Sequence, residues 1–141
     1  MGNDGESRVD VGGSGPGATR ILTRLLSEAD LALFALVMGE ATFDGEMHLD
    51  AEPRYQQTAP AALLSALLTA CAALHSGQPE VARFTSAQVT FIEPAYAEEI
   101  VRACATVTEI DAATGALHIA AYCETEAGRR LADAEFTLRH D

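Results

Sequence analysis

Between Pro60 and Gly77 lies the stretch Ala61-Ala62-Leu63-Leu64-Ser65-Ala66-Leu67-Leu68-Thr69-Ala70-Cys71-Ala72-Ala73-Leu74, in which only Ser65 and Thr69 are polar. Wound as a helix, it puts Leu63, Leu64, Leu67, Leu68, Cys71 and Leu74 on one side. Ala61, Ala62, Ala66, Ala70, Ala72 and Ala73 cover most of the rest. A helix apolar almost all round is expected to be buried almost all round. Pro60 suits its first turn, Gly77 closes it, and Pro79 forbids its return. A bilayer span needs about 20 apolar residues, which this interrupted stretch does not reach. It therefore requires a layer of other elements around it, and its alanines allow that layer to come close.

The flanking sequence predicts that layer. Residues 19–25 alternate in part, as a first strand would. Ser27 followed by Glu28 and Asp30 predicts a helix start, with a capping hydroxyl and acids where the dipole favours them. Leu31, Phe34, Ala35 and Met38 give that helix one apolar face, and Gly39 ends it. Beyond the long helix come alternating runs over 84–91, 100–110, 116–124 and 130–139. Turns at Asp111-Ala112-Ala113-Thr114-Gly115 and Glu126-Ala127-Gly128 separate the last three, the pattern of an antiparallel meander. In the 100–110 run, Val101, Ala103, Ala105 and Val107 share one face. Residues 1–17, with Val11-Gly12-Gly13-Ser14-Gly15-Pro16-Gly17, are expected to be a flexible Gly-rich tail, and 18–141 the folded domain. The expected class is α+β, a curved antiparallel sheet around one central helix.

At 141 residues the chain fits one domain. Its net charge is −12, with nine Arg and no Lys. A nucleic-acid groove needs cations against phosphates, so that class is set aside. The same acidity works against long-range attraction of CoA or an acidic carrier protein, which would need a local Arg patch. Met1-Gly2-Asn3-Asp4-Gly5-Glu6-Ser7 lacks the basic start and apolar core of a secretory signal, and no stretch suits a membrane; a cytoplasmic protein is expected. Cys71, Cys104 and Cys123 each lie in an apolar segment, and buried free thiols are expected. No Cys or His spacing suggests a metal.

Chemistry concentrates in the segment joining the two helices, Gly39-Glu40-Ala41-Thr42-Phe43-Asp44-Gly45-Glu46-Met47-His48-Leu49-Asp50. His48 lies there among four carboxylates, and an imidazole that neighbouring carboxylates can tune suits general acid–base work near neutrality. The other histidines fit structural places: His118 in mid-strand, His140 at the terminus, and His75 in the last turn of the long helix, where a cation would meet the dipole. Arg129-Arg130 follow a turn, as solvated charges or as a contact for phosphates.

The element order resembles the hot-dog fold, and the residues over about 19–139 resemble its MaoC-like (R)-specific enoyl-thioester hydratases and dehydratases. Ser27-Glu28-Ala29-Asp30-Leu31-Ala32-Leu33-Phe34-Ala35 resembles that family's first helix, which leads into a Gly-Asp-x-Asn-Pro-x-His loop. Phe91-Ile92-Glu93-Pro94-Ala95-Tyr96-Ala97-Glu98-Glu99 resembles its Phe-x-x-Pro-Val-x-x-Gly-Asp segment. The resemblance makes His48 half of an acid–base pair that holds a water against the enoyl thioester. The other half is Asp44, one residue nearer His48 than the family's Asp, or Glu40, three farther; Phe43 occupies the Asp position itself. The thioester carbonyl would be polarised by the backbone N–H of Ala62, with Ala61, where the family has His-Gly. Phe43 and Tyr55 are candidates to line the substrate path, Tyr55 having a sheet edge as its alternative place.

The resemblance implies a hydro-lyase acting on a 2-enoyl/3-hydroxyacyl thioester of CoA or a carrier protein, in polyketide or fatty-acid-type metabolism, without metal or redox cofactor. The missing Asn-Pro and shifted carboxylates leave alternatives: a cyclase or isomerase, a thioesterase, or a non-catalytic hot-dog partner subunit. A homodimer or a heterodimer with a second hot-dog chain is expected, because a single curved sheet leaves an edge to cover.

Overall fold

The computed structural model describes residues 6–37 and 58–139. Six strands form one antiparallel sheet: β1 (Glu6–Val11), β2 (Thr19–Leu25), β3 (Arg83–Phe91), β4 (Ile100–Ile110), β5 (Leu117–Thr125) and β6 (Arg130–Arg139), in the spatial order β1-β2-β4-β5-β6-β3. Helix α1 (Glu28–Val37) follows β2, and α2 (Ala61–Ala73) precedes β3 through two short 3₁₀ turns. α2 packs on β2, β4, β5 and β6.

Register explains how the helix sits so close. Cross-strand pairing aligns Ala103, Cys123 and Ala132 in one row, Ala105, Ala121 and Ala134 in the next, and Val107, Ile119 and Phe136 in a third. All nine are buried. The alanine rows make room for Leu64, Leu67, Leu68 and Cys71 of α2, which are buried as well. Each leucine so enclosed is worth about 1.5–3 kcal/mol relative to exposure. The face predicted for β4 is the one that is buried.

Ser27 and Asp30 form the start of α1 reciprocally: Asp30 N–H donates to Ser27 Oγ (3.0 Å), and Ser27 N–H to Asp30 Oδ2 (3.3 Å). Burial acts to raise the Asp30 pKa, but the bonds from Ser27 and the Arg24 guanidinium hold it below its ordinary value. Leu31 faces the core with Phe34 and Ala35 half-buried beside it, whereas Leu33, Leu36 and Val37 are exposed.

Four expectations need correction. Residues 6–11 are not tail but a strand, paired from Glu6↔Arg24 to Val11↔Thr19. The glycine cluster that suggested disorder is the hairpin turn, where Gly12, Gly13 and Gly17 have φ of 88°, 75° and 90°. Pro60 is the N-cap of α2, one position before the helix. α2 is not buried all round, since Ala61, Ala62, Ala66 and Ala70 are exposed on the side away from the sheet. Cys104 is half-buried on the outer face of the sheet, unlike buried Cys71 and Cys123.

The sheet edges differ. β1 carries Arg8 and Asp10, bonded to each other at 3.1 Å. At the other edge, the segment Phe84-Thr85-Ser86-Ala87-Gln88-Val89-Thr90-Phe91 of β3 has no charged side chain.

Candidate active site at the start of the central helix

Pro60 has no N–H to offer, and the N–H groups of Ala61 and Ala62 precede the first intrahelical acceptor. Leu63 N–H already turns back to Pro60 O (2.9 Å). Both residues are exposed, and their N–H groups stand in the first turn of α2, at the positive end of its dipole, with no acceptor inside the helix. Such groups favour negative charge developing on a carbonyl oxygen.

The approach to this helix start is fixed by the segment between β3 and β4. Thr58 forms an isolated antiparallel bridge with Tyr96, and Ala59 N–H donates to Ala95 O (2.8 Å). Arg129, from the β5–β6 turn, holds the same segment. Its Nη2 bonds both Glu99 carboxylate oxygens at 2.8 Å, and its Nη1 reaches Pro94 O at 2.7 Å and Glu93 at 3.4 Å. The guanidinium also lies over the Tyr96 ring, 5.6 Å from its centre. The Glu99 bond, the largest influence, raises the Arg129 pKa further, so the cation is permanent. Glu98 has φ of 70°, unusual for a residue with a side chain, and occupies the glycine position of the resembled segment. Its Oε2 accepts Glu28 N–H (3.1 Å), while its own N–H bonds Leu26 O (2.6 Å). The corner therefore ties together the starts of α1 and α2.

Of the residues singled out from the sequence, Ala61 and Ala62 stand together in the first turn of α2. Glu40, Phe43, Asp44, His48 and Tyr55 lie outside the described residues. Arg129 is held in contacts rather than left as a solvated turn charge, whereas Arg130 is solvent-exposed, bonding Asp133 (2.9 Å) and stacking 3.8 Å over Tyr122. His75 is not a cationic helix cap. Burial lowers its pKa, and the neutral ring donates from Nε2 to Ala105 O (2.8 Å), pinning the end of α2 to β4. His118 is on the outer face beside Thr137, at the rim of an open depression also lined by Gln88, Ala120 and Glu135, away from the α2 start. Sequence reasoning missed Arg129 and Glu99 as partners; the proline-containing segment before β4 was the available signal, but nothing in it named an arginine 30 residues on. Among the described residues no group of His, Cys, Asp or Glu is arranged to hold a metal ion, and no helix is long and apolar enough to cross a membrane.

No protein-family model and no curated protein matches the sequence. Solved structures do share its backbone path. An (R)-hydratase from A. caviae involved in PHA biosynthesis superposes with a TM-score of 0.73 at 16% identity, over 89% of this chain and 96% of that one. R-hydratase PhaJ1 from Pseudomonas aeruginosa gives 0.72 at 19%, over 95% and 88%. A hypothetical thioesterase protein from Streptococcus pneumoniae TIGR4, solved with coenzyme A, gives 0.62 at 10%, over 94% and 87%. Likeness at these identities is a likeness of fold: this chain is a hot-dog domain, a curved antiparallel sheet folded around one long helix.

Proposed function

We propose that the protein is a hydro-lyase that adds water to, or removes it from, a 2-enoyl/3-hydroxyacyl thioester carried by CoA or an acyl-carrier protein. The observation that supports this reading is the pair of first-turn amides at the exposed residues Ala61 and Ala62, which no carbonyl within the helix can satisfy. They belong to a hot-dog domain whose sequence puts His48 shortly before that helix. The thioester oxygen accepts from Ala62 N–H, with Ala61 N–H beside it, and enolate charge grows toward the helix dipole. His48 and one carboxylate, Asp44 or Glu40, hold the water between them. In hydration the water oxygen bonds the β-carbon while a proton reaches the α-carbon; dehydration reverses both transfers. Phe43 and Tyr55 line the acyl path. The thioester itself acidifies the α-carbon, so the chemistry calls for no metal or redox cofactor. Substrates of this kind belong to polyketide or fatty-acid-type metabolism in the cytoplasm.

The working form in this reading is a dimer. β3 is the pairing edge, because among the described residues it pairs with β6 alone and its run over 84–91 lacks the charges that guard β1. The partner is a second copy, or another hot-dog chain if this one supplies only half of the substrate path. A thioesterase is the second reading, favoured by the fold shared with the hypothetical thioesterase from Streptococcus pneumoniae.

The test follows loss of enone absorbance when the protein meets a short trans-2-enoyl thioester of CoA or pantetheine. Turnover that falls at least 100-fold in His48→Ala is expected. Release of free thiol with the double bond retained in a 2-enoic acid points to thioester hydrolysis. No turnover on either carrier by the homodimer sinks the hydratase reading.

A further inference from the structure

Resting on the hydratase reading, we propose that Arg129 is a positioning residue that sets the carbonyl-polarising amides of Ala61 and Ala62 through the corner between β3 and β4. The connection is short. Arg129 Nη2 donates to both Glu99 carboxylate oxygens at 2.8 Å, and Glu99 Oε1 in turn accepts Tyr96 N–H at 2.8 Å. The adjacent Ala95 carbonyl accepts Ala59 N–H at 2.8 Å, and Thr58 is bridged to Tyr96. Only Pro60, with φ of −60°, separates Ala59 from the first residue of α2. A shift at Ala95 therefore passes to the helix start with little backbone freedom to absorb it.

Electrostatics make the guanidinium hard to replace. Glu93, Glu98 and Glu99 crowd one corner, and Arg129 bonds Glu93 and Glu99 together. A neutral side chain there leaves those carboxylates repelling one another, which opens the segment carrying Ala95. Nη2 on both Glu99 oxygens together with Nη1 on Pro94 O and Glu93 also needs two donor nitrogens held apart in one plane, which a single ammonium does not reproduce. Arg130, its sequence neighbour, instead bonds Asp133 and stacks on Tyr122, so it serves as a matched control.

The experiment compares the full-length protein with Arg129→Gln, Arg129→Lys and Arg130→Gln, measuring kcat, KM and amide exchange at Ala59. Arg129 is about one-third exposed, so folded variants are expected, checked by their near-UV spectra. In Arg129→Gln, kcat is expected to fall about 10- to 100-fold with KM within about threefold, the pattern for lost transition-state alignment. Ala59 exchange should quicken at least tenfold. Arg129→Lys should lie between, and Arg130→Gln should match the parent in both readouts. An Arg129→Gln protein with unchanged kcat, or with unchanged Ala59 protection, overturns the proposal. A parent protein inactive on every enoyl thioester sinks the hydratase reading instead. Ala59 exchange then decides the positioning alone: faster exchange in Arg129→Gln upholds it and equal exchange overturns it.

Discussion

The two faces of the sheet are built from the same strands on opposite rules. Inward, β4, β5 and β6 present Ala103, Ala105, Ala121, Cys123, Ala132 and Ala134, all buried, against the leucines of α2. Outward, alternate residues of the same strands present Arg102 paired with Glu124, Arg130 shared between Glu124 and Asp133, and Tyr122 beneath Arg130. The inner face is held by volume and exclusion of water, the outer by charges in contact with solvent. The first is intolerant because nothing can move aside to fill a gap. The second is forgiving, because water and neighbouring charges take over when one pair is lost.

The strongest challenge to that contrast is Leu68→Ala. Leu68 is fully buried against the alanine rows, so urea unfolding should show a loss of about 2–5 kcal/mol. A loss below 1 kcal/mol would mean that α2 settles into the gap and that the inner face is not tightly packed.

A second effect separates the faces chemically. Burial pushes the Cys71 and Cys123 thiols up from 9.0 to about 12. Both are protonated in the folded chain at pH values where an unfolded thiol has ionised. Their contribution to stability is thus complete below pH 9 and is lost as pH rises from about 9 towards 12. Cys71→Ala and Cys123→Ala variants should flatten the alkaline fall in stability, measured by urea titrations across that window. Cys104, half-buried on the outer face, should react with a thiol reagent in the folded protein while the other two wait for unfolding. Equal labelling of all three would erase the distinction.

The smallest effect is expected outside. Arg102→Gln removes an ion pair whose arginine is 43% exposed, and should cost less than about 1 kcal/mol, shrinking further with salt.

Most of this architecture was legible in the sequence, for a physical reason that also marks where legibility stops. Strands β4, β5 and β6 alternate over most of their length because each has one dry and one wet face, and Ser27 with Asp30 announces α1 because a helix start has orphan amides to satisfy. Cys104 was misplaced by its apolar neighbourhood, although the phase of β4 already put it opposite Val101, Ala103 and Ala105. Strand β1 was hidden because an edge strand need not alternate cleanly, and its glycine turn resembles a linker. The exposed alanine side of α2 was misjudged because alanine is at home on either side of the boundary with water. Arg129 was opaque for another reason: its partners come from a different connection, and pairing across the fold leaves no local trace. For the candidate site, the sequence supplied the alanine amides, while its other five residues lie beyond the described parts.

Glu98 has one more consequence. A backbone at φ of 70° costs a residue with a side chain about 1 kcal/mol, and its carboxylate at the α1 start returns a similar amount through Glu28 N–H. Glycine there would relax the chain and uncap the helix together, so thermal melts of Glu98→Gly would barely move. A survey of tolerated substitutions scored by stability alone would pass over this corner, where two opposed contributions of similar size offset each other.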